Sequence, residues 1–350
     1  MMQGDAIWRI PDPDYDRHPA YGGLFGPPRW QLRLAAVRRL APYLGAYAAY
    51  DLASRARRIL SRSLPGADSP VYRALARDGA IALRLGAGHI ARIRTAVEPQ
   101  VAALRAKMAG ESATDPAEAA RRGSTAPGKR GGGTLGALHR RLNPESTHSE
   151  LFIHETDAPD VFEALREGMS ATGALDAASR YQRSAMDVRY IKLVINRPDY
   201  DWWKNPFADI GLPDPPAIQM HVDHLWTIKA ILYLTGVGEK NGPFCYCLGT
   251  HRARIGWLEG AARRANDRVD MSSCTPEQRR LFHALPRFLR RKAKFGNDLP
   301  PDHPALAQLL ASEKSFGSAD GDLILFDDRG MHRGGLLEEG ERIMMQIRLA

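Results

Sequence analysis

The chain has 350 residues, of which 44% are hydrophobic and 25% are charged, and its formal net charge is +9. This length allows one large domain with extensions, or two domains, around a sizeable core. No uninterrupted apolar run approaches the ~18 residues of a membrane-spanning helix, and the N-terminus lacks the apolar stretch of a signal peptide, so we expect neither.

The positive charge and the cysteine content limit the partners and the compartment. A basic protein suits an anionic small molecule, a membrane surface or nucleic acid, although simple solubility explains the charge equally well. Three cysteines cannot form a disulfide framework, which favours a reducing compartment and a cytoplasmic location. Cys245 and Cys247 lack a second pair for a zinc site, so we expect buried thiols there.

Residues 1–69 are predicted to form an N-terminal extension. Residues 1–28 are rich in Pro, Gly and Tyr and indicate an extended arm or loose coil. The pattern from Trp30 to Leu64 is helical, with a break near Pro42. Arginines alternate there with apolar residues, which is typical of a helix packed on its own domain and also of one lying on an anionic membrane or an acidic carrier protein. No nucleic-acid-binding signature occurs, so no nucleic acid is expected.

The main domain is predicted over residues 70–350. Asp78-Gly79 indicates a turn, Ala80–Leu85 a short strand, and the apolar spacing from Ile90 to Leu104 a helix with an expected kink at Pro99. Residues 110–134 are rich in glycine and basic side chains and predict a flexible loop. That loop is either an insertion without a role or a segment that orders over an anionic substrate.

Strand signals dominate the second half of the chain. Residues 150–181 carry two helical segments, and residues 197–216 form a long irregular connection. Asn241-Gly242 is a strong hairpin signal, and residues 252–314 indicate a helical insertion rich in arginine. The predicted strands are Asp187–Ile195, Ala217–Val222, Ile228–Thr235, Phe244–Leu248, Leu323–Phe326 and Arg342–Leu349. We therefore predict an α+β protein with a mainly β core, a double-stranded β-helix (jelly roll) flanked by helices, with an N-terminal helical extension.

The motif His221-x-Asp223 is the main chemical signal. Alternate residues of a strand share one face, so the imidazole and the carboxylate point into the same space. His332 ends a later strand-like run and offers a third ligand. Two histidines and one carboxylate leave open positions on a ferrous ion, as in non-haem iron oxygenases. Each residue alone also has a structural explanation: a core histidine, a turn acceptor, or a donor to a backbone carbonyl.

The chain from about Asp78 to Leu349 resembles the phytanoyl-CoA dioxygenase family of iron(II)- and 2-oxoglutarate-dependent oxygenases. Residues 1–70 lie outside the resemblance, and residues 110–134 and 253–314 match no known pattern. The matching pieces are Asp78-Gly79, His221-x-Asp223, Asn241-Gly242, Gly249-Thr-His251-Arg252 and His332-Arg-Gly-Gly335 followed ten residues later by Arg342.

The resemblance implies Fe(2+) held by His221, Asp223 and His332, with 2-oxoglutarate and O2 as cosubstrates. Arg342 would bind the far carboxylate of 2-oxoglutarate, with Arg348 as the fallback and Lys192 as a second basic contact. His251 would shape the fold or the substrate entrance.

The function expected from the resemblance is a dioxygenase that hydroxylates a small or medium-sized organic substrate, such as a lipid, an acyl thioester or a natural-product intermediate, and releases succinate and CO2. The retained Asp223 argues against a halogenase. The alternative is a jelly-roll binding or interaction protein without turnover. Neither the substrate nor the oligomeric state follows from the sequence.

Overall fold

The structure is a computed structural model that describes residues 30–60, 68–112, 148–198, 220–223, 227–252, 257–270, 285–290, 304–319 and 321–350. Within these ranges no helix is both long enough and apolar enough to cross a lipid bilayer. The predicted loops at 110–134 and 197–216 lie almost entirely outside the described residues.

A six-stranded antiparallel sheet forms the larger layer, in the strand order β1-β7-β4-β9-β3-β2. Each neighbouring pair is antiparallel, and the longest pairing joins β3 and β9. The strands of this sheet are β1 (Ala80–Arg84), β2 (His148–Ile153), β3 (Val188–Asn196), β4 (Ile228–Tyr233), β7 (Asp322–Asp327) and β9 (Arg342–Leu349).

A three-stranded antiparallel sheet forms the smaller layer, in the order β6-β5-β8. Its strands are β5 (Phe244–Cys247), β6 (Glu313–Phe316) and β8 (His332–Gly334). The two sheets face each other across a shared apolar core that includes Ile231, Ile324 and Phe326 of the large sheet and Phe244 and Tyr246 of the small one. Burial of aromatic and branched side chains from both faces holds the sheets together.

Helices cover the outer faces of both sheets. Helix α8 (Pro304–Ala311) covers the small sheet. Its Leu306 and Leu309 pack on Met220, Val222 and Met331. The large sheet is covered by a second, larger core of apolar side chains. The helices that pack against the large sheet are α2 (Pro70–Asp78), α3 (Ala87–Ser112), α4 (Pro159–Ala171) and α5 (Ala174–Gln182).

Strand register arranges the inner face of the large sheet in rows. One row contains Tyr190, Arg348, Lys229 and Phe326, which lie directly opposite one another on adjacent strands. Arg342 lies opposite Asn196 at the other end of β9. Because side chains alternate between faces, these residues all point toward the small sheet.

The N-terminal helix α1 (Trp30–Leu60) packs on the helices of the insertion, α6 (Trp257–Asp270) and α7 (Arg287–Arg290). Ala36 and Leu40 of α1 are buried against Ala262, Ala265 and Leu289. The helix continues through Pro42, so the predicted break is wrong. Proline removes one backbone hydrogen bond from the helix, and this loss is tolerated here because the packed face on either side fixes the helix axis.

The mixed helical and antiparallel-sheet architecture is confirmed, and three local predictions are wrong. Strands β2 and β6 were not predicted, and β6 begins within the last two residues of the predicted helical insertion, 252–314. Residues 217–219 of the predicted strand Ala217–Val222 lie outside the described residues, and within 220–222 His221 forms an isolated bridge instead of a strand. Asn241-Gly242 joins β4 and β5, which belong to opposite sheets, so its turn carries the chain between layers instead of closing a hairpin.

Candidate metal centre

Two backbone segments bring His221, Asp223 and His332 together. His221 and His332 exchange hydrogen bonds, with N–O distances of 2.9 and 2.8 Å, which adds the short 220–223 segment beside β8. Two residues later, the Asp223 amide donates to the carbonyl of Asp328 at 3.0 Å. Paired at both ends, the segment keeps an extended course without belonging to a strand, so His221 and Asp223 point the same way.

The three side chains converge closely. One ligand atom from each lies within 4.8 Å of the others. His332 Nε2 is 3.4 Å and His221 Nε2 is 3.9 Å from a carboxylate oxygen of Asp223. Ligand atoms that bind one divalent cation at about 2.1 Å and at right angles lie about 3 Å from one another. The three side chains reach this spacing if each ligand atom moves by less than about 1 Å, so a divalent first-row ion fits the group.

His332 is oriented by its surroundings. Its Nδ1 lies 2.9 Å from the carbonyl oxygen of Gly330, and because a carbonyl only accepts, that nitrogen carries the proton. The other ring nitrogen, Nε2, faces Asp223 and is the one that would bind a metal ion. Rings of Phe244, Tyr246 and Phe326 surround the imidazole at centroid distances of 5.6, 6.3 and 5.3 Å. This is the arrangement of a metal-binding histidine fixed by an outer hydrogen bond.

Lys229 and Asp328 complete a charged cluster with Asp223. The Lys229 ammonium contacts one oxygen of Asp223 and lies 3.7 Å from Asp328. Burial alone would raise the pKa of Asp223, but Lys229 and the two histidines hold it well below its usual range. Burial raises the pKa of Asp328 to about 8, and nearby Asp223 adds to that rise against the opposing effect of Lys229. Asp223 is thus anionic at neutral pH, as a metal ligand must be.

Lys229 and Asp328 were missed by the sequence analysis. A signal existed for Lys229, since it is the one charged residue in the apolar strand Ile-Lys-Ala-Ile-Leu-Tyr. Its position in that strand puts its side chain on the inner face, but the sequence did not reveal which carboxylates face it there.

Arg342 lies buried between the sheets, with 4% of its surface exposed. Its guanidinium donates to Asn196 Oδ1 at 3.1 Å and to the carbonyl of Gly242. Burial lowers the pKa of Arg342, and no carboxylate of the described ranges lies within ion-pair distance of it. A buried guanidinium with only neutral partners is a favourable site for a carboxylate ligand.

Two further predicted site residues, Lys192 and Arg348, lie on the inner face of the large sheet. Lys192 is on the inner face of β3, where its ammonium pairs with Glu150 at 3.0 Å. Its predicted contact with the cosubstrate stays a prediction. Arg348 is next to Lys229 in the same row and six residues from Arg342 along β9, so it is not an equivalent of Arg342.

His251 belongs to a separate buried polar network on the helical side of the large sheet. Its Nε2 lies 3.2 Å from the carbonyl of Ala76 in α2. In the same network, the hydroxyl of Tyr181 donates to Asp327 at 2.7 Å, and Arg329 forms an ion pair with Asp327. The ring of His251 also lies 6.4 Å from that of Tyr181 in α5, so His251 contacts two of the helices on this side. Its expected role in shaping the fold or the substrate entrance stays a prediction.

Comparison with known proteins finds only distant likeness. No family model matches the chain, and no curated protein matches it.

The solved structures that align with the chain include the non-haem alpha-ketoglutarate-dependent epimerase SnoN from nogalamycin biosynthesis, at 13% identity over 80% of this chain and 81% of that one, with a TM-score of 0.40. EctD from S. alaskensis, solved with 2-oxoglutarate and 5-hydroxyectoine, aligns at 15% identity over 83% and 79%, with a TM-score of 0.43. HygX from Streptomyces hygroscopicus, solved with iron bound, aligns at 12% identity over 81% and 87%, with a TM-score of 0.37. TM-scores below 0.5 assign neither a family nor a reaction to this chain.

Proposed function

We propose that the protein is an iron(II)- and 2-oxoglutarate-dependent dioxygenase on a jelly-roll fold. The observation that carries this proposal is the convergence of His221, Asp223 and His332 to within 4.8 Å in the space between two facing antiparallel sheets. Two histidines and one carboxylate are the donor set of ferrous oxygenases with open coordination positions. The buried Arg342 supports the same function, because it offers a carboxylate-binding group deeper between the sheets.

In this proposal His221, Asp223 and His332 hold Fe(2+), and Arg342 binds the far carboxylate of 2-oxoglutarate. When bound, iron and 2-oxoglutarate supply the oxidising chemistry that couples O2 to substrate hydroxylation, with release of succinate and CO2. The chain orients these groups through the hydrogen bond from His332 to Gly330 and through the backbone pairs of the 220–223 segment. The rings of Phe244, Tyr246 and Phe326 exclude water from one side of His332.

Asn196 and the Gly242 carbonyl hold the Arg342 guanidinium in place before any ligand binds. A preorganised guanidinium loses little side-chain entropy when a carboxylate arrives. Residue 242 also has to be glycine at this point. Its φ is +66°, and a Cβ there would lie 2.7 Å from a terminal nitrogen of Arg342.

The alternative function is a jelly-roll binding or interaction protein without turnover. Such a protein would use the same two sheets. It would need neither an anionic Asp223 nor an Arg342 that lacks an ion pair with an acidic side chain. The two functions differ in one measurable property, which is the formation of a ternary complex with iron and 2-oxoglutarate.

The test is anaerobic addition of Fe(2+) and 2-oxoglutarate while the visible charge-transfer absorption of the chelate is recorded. The wild type is expected to develop the band, and His221→Ala is expected to lose it. His154→Ala is the matched control, because His154 is exposed just after β2 and should leave the band intact. Asp223→Ala is expected to abolish succinate formation in air. No band in the wild type, or an undiminished band in His221→Ala, contradicts the proposal.

A further inference from the structure

Arg348 carries a guanidinium that the described part of the chain leaves without a hydrogen-bond partner. Its Nε is fully buried and makes no hydrogen bond to any described residue. Its one contact of note is with an aromatic ring, since the guanidinium carbon lies 5.7 Å from the centre of Tyr190. A buried N–H donor without a partner costs about 1–3 kcal/mol, so a donor left open in this way calls for an acceptor.

The position of Arg348 puts that donor beside the metal group. Arg348 lies directly opposite Lys229 on β4, and the Lys229 ammonium contacts the proposed iron ligand Asp223. Tyr190 lies opposite Arg348 on the other side. Like charges directly opposite each other destabilise a sheet. The charge of Lys229 is neutralised by Asp223 and Asp328. Arg348, in contrast, has no acidic side chain within ion-pair distance among the residues that are described.

Arg348 and Arg342 serve different positions. Both point to the inner face from β9, but six residues separate them, which is roughly 20 Å between their Cα atoms at 3.3–3.4 Å per residue. Arg342 is enclosed by Asn196 and Gly242, away from Lys229. One short dicarboxylate held at the metal group can reach one of these arginines deep between the sheets, and the other remains open for a second ligand.

The surroundings of Arg348 also fit an organic molecule. The ring of Tyr190 packs against that of Phe152 at a centroid distance of 6.0 Å, and Phe152 is 52% exposed on the same face of the sheet. Nearby, the ammonium of Lys192 is already paired with Glu150, so Arg348 is the open cation of this row within the described residues. The face therefore offers an aromatic surface with one anion-binding group at its end.

We propose that Arg348 binds an acidic group of the substrate, a carboxylate or a phosphate monoester, while Tyr190 and Phe152 contact its apolar body. This proposal rests on the proposed function and names its substrate class as an organic acid. A planar guanidinium binds either oxyanion through two parallel hydrogen bonds. With its acid fixed at Arg348, the rest of the substrate would lie toward the metal group, which fixes the end of the molecule that reacts.

The test uses benzoate and inorganic phosphate as probes of the site. The protein is saturated anaerobically with Fe(2+) and 2-oxoglutarate, and each anion is titrated by calorimetry and by the shift of the charge-transfer band. Wild type is expected to bind at least one of the two anions, and Arg348→Gln to bind it at least tenfold more weakly. Arg348→Lys, which keeps the charge but loses the fork, should be intermediate. Arg189→Gln is the control, because Arg189 is exposed on β3.

Affinity for 2-oxoglutarate provides the second readout. Arg342→Gln is expected to weaken 2-oxoglutarate binding, while Arg348→Gln keeps it within a factor of about two. Loss of 2-oxoglutarate binding in Arg348→Gln would assign Arg348 to the cosubstrate and overturn the inference. Equal binding of both anions by wild type and Arg348→Gln would overturn it as well, as would the absence of saturable binding in wild type.

Failure of the proposed function gives a different result. If no chelate forms in wild type, the same titrations on metal-free protein still report whether anion binding depends on Arg348. If anion binding depends on Arg348 but no chelate forms, the anion site is supported and the dioxygenase function is contradicted. If a chelate forms but anion binding does not depend on Arg348, only the anion site is contradicted.

Discussion

Asp328 is a buried carboxyl group whose ionisation is set by its neighbours. It accepts a hydrogen bond from the Thr227 amide through Oδ1 at 2.7 Å, while the buried Oδ2 lies 3.7 Å from the Lys229 ammonium and has no hydrogen-bond partner among the described residues. Burial raises its pKa to about 8, and the charge of Asp223 contributes to the rise. An unfolded aspartate ionises near pH 4, so between about pH 4 and pH 8 the folded protein holds a proton that the unfolded chain releases.

This proton makes the stability depend on pH in a direction that can be measured. The stability that protonated Asp328 contributes is fully present below about pH 4 and is lost as the pH rises through about 8. Asp328→Asn cannot ionise and keeps an oxygen for the Thr227 amide. We expect the melting temperature of Asp328→Asn minus that of wild type to increase steadily from pH 5 to pH 8 and to stay constant above pH 8. A difference that is constant with pH would show that Asp328 is already ionised in the folded protein.

The residues of the candidate site were predictable where sequence spacing alone fixes them. The interval His221-x-Asp223 places both side chains on one side of any extended segment, and the structure keeps this although the segment is not a strand. The inner-face position of Lys229 was predictable from its strand, but its contact with Asp328 was not. Their contact depends on how β4 and the turn after β7 lie next to the 220–223 segment, and that is a property of strand order, which the sequence did not give.

At the scale of elements, Gly79 joins α2 to β1 and determines how closely the small sheet approaches. It ends α2 in the left-handed region at a φ of +84°, and its amide donates to Leu75. A Cβ at this position would lie 2.3 Å from His251 Nδ1 and 2.4 Å from the Tyr246 hydroxyl. Glycine is required here for backbone conformation and for space.

The two requirements can be separated by comparison with Gly173, which caps the turn before α5. Its φ is +74°, but a Cβ there meets nothing within 4 Å. Gly173→Ala is expected to cost the conformational strain alone, about 1–2 kcal/mol. Gly79→Ala is expected to cost about 1–3 kcal/mol more, because His251 and Tyr246 must move. Urea unfolding measures both variants, and equal midpoints would mean that the space around Gly79 relaxes without cost.

Turn signals in the sequence predicted where helices and strands end better than they predicted which strands pair with each other. Asn241-Gly242 is a turn, as its sequence indicates, and the Asn241 side chain accepts from the Gly238 amide at 3.0 Å and donates to Glu339. A turn fixes local backbone angles but not the sheet that the next strand joins, so the hairpin inferred from it was wrong. The strand β9 was predicted with the correct bounds because its second half alternates between apolar and polar residues and the chain ends directly after it.

At the scale of the whole molecule, two of the three parts outside the family resemblance, the N-terminal extension and the helical insertion, pack on each other. The α1 helix buries one face on α6 and α7 of the insertion, and Arg264 of α6 lies over the ring of Tyr47 at 4.8 Å. Neither amphipathic helix has a described sheet face to cover, so each supplies the apolar surface that the other needs. The packing explanation for the arginine-rich N-terminal helix is supported by this contact, and the predicted boundary at residue 69 stays a prediction.

Another side of α1 is apolar and exposed. Trp30, Leu34 and Val37 recur at helical spacing and are 69%, 41% and 39% exposed. Any peripheral contact of this helix with a membrane or an acidic carrier protein, which stays a prediction, would have to use this side, because the side with Ala36 and Leu40 is already covered. Variants of the two sides therefore measure different properties.

Leu40→Ala tests whether α1 contributes to the stability of the folded protein. Leu40 is 1% exposed between α1 and the insertion, so its truncation is expected to cost about 2–5 kcal/mol of the unfolding free energy of the unit that contains α1, α6 and α7. Leu34→Ala removes the same atoms from the exposed side and should change stability by less than about 0.5 kcal/mol. Hydrogen exchange resolves the affected unit: amides of α1 and α6 should lose protection together in Leu40→Ala. Loss confined to α1 would mean that α6 does not need α1 to fold.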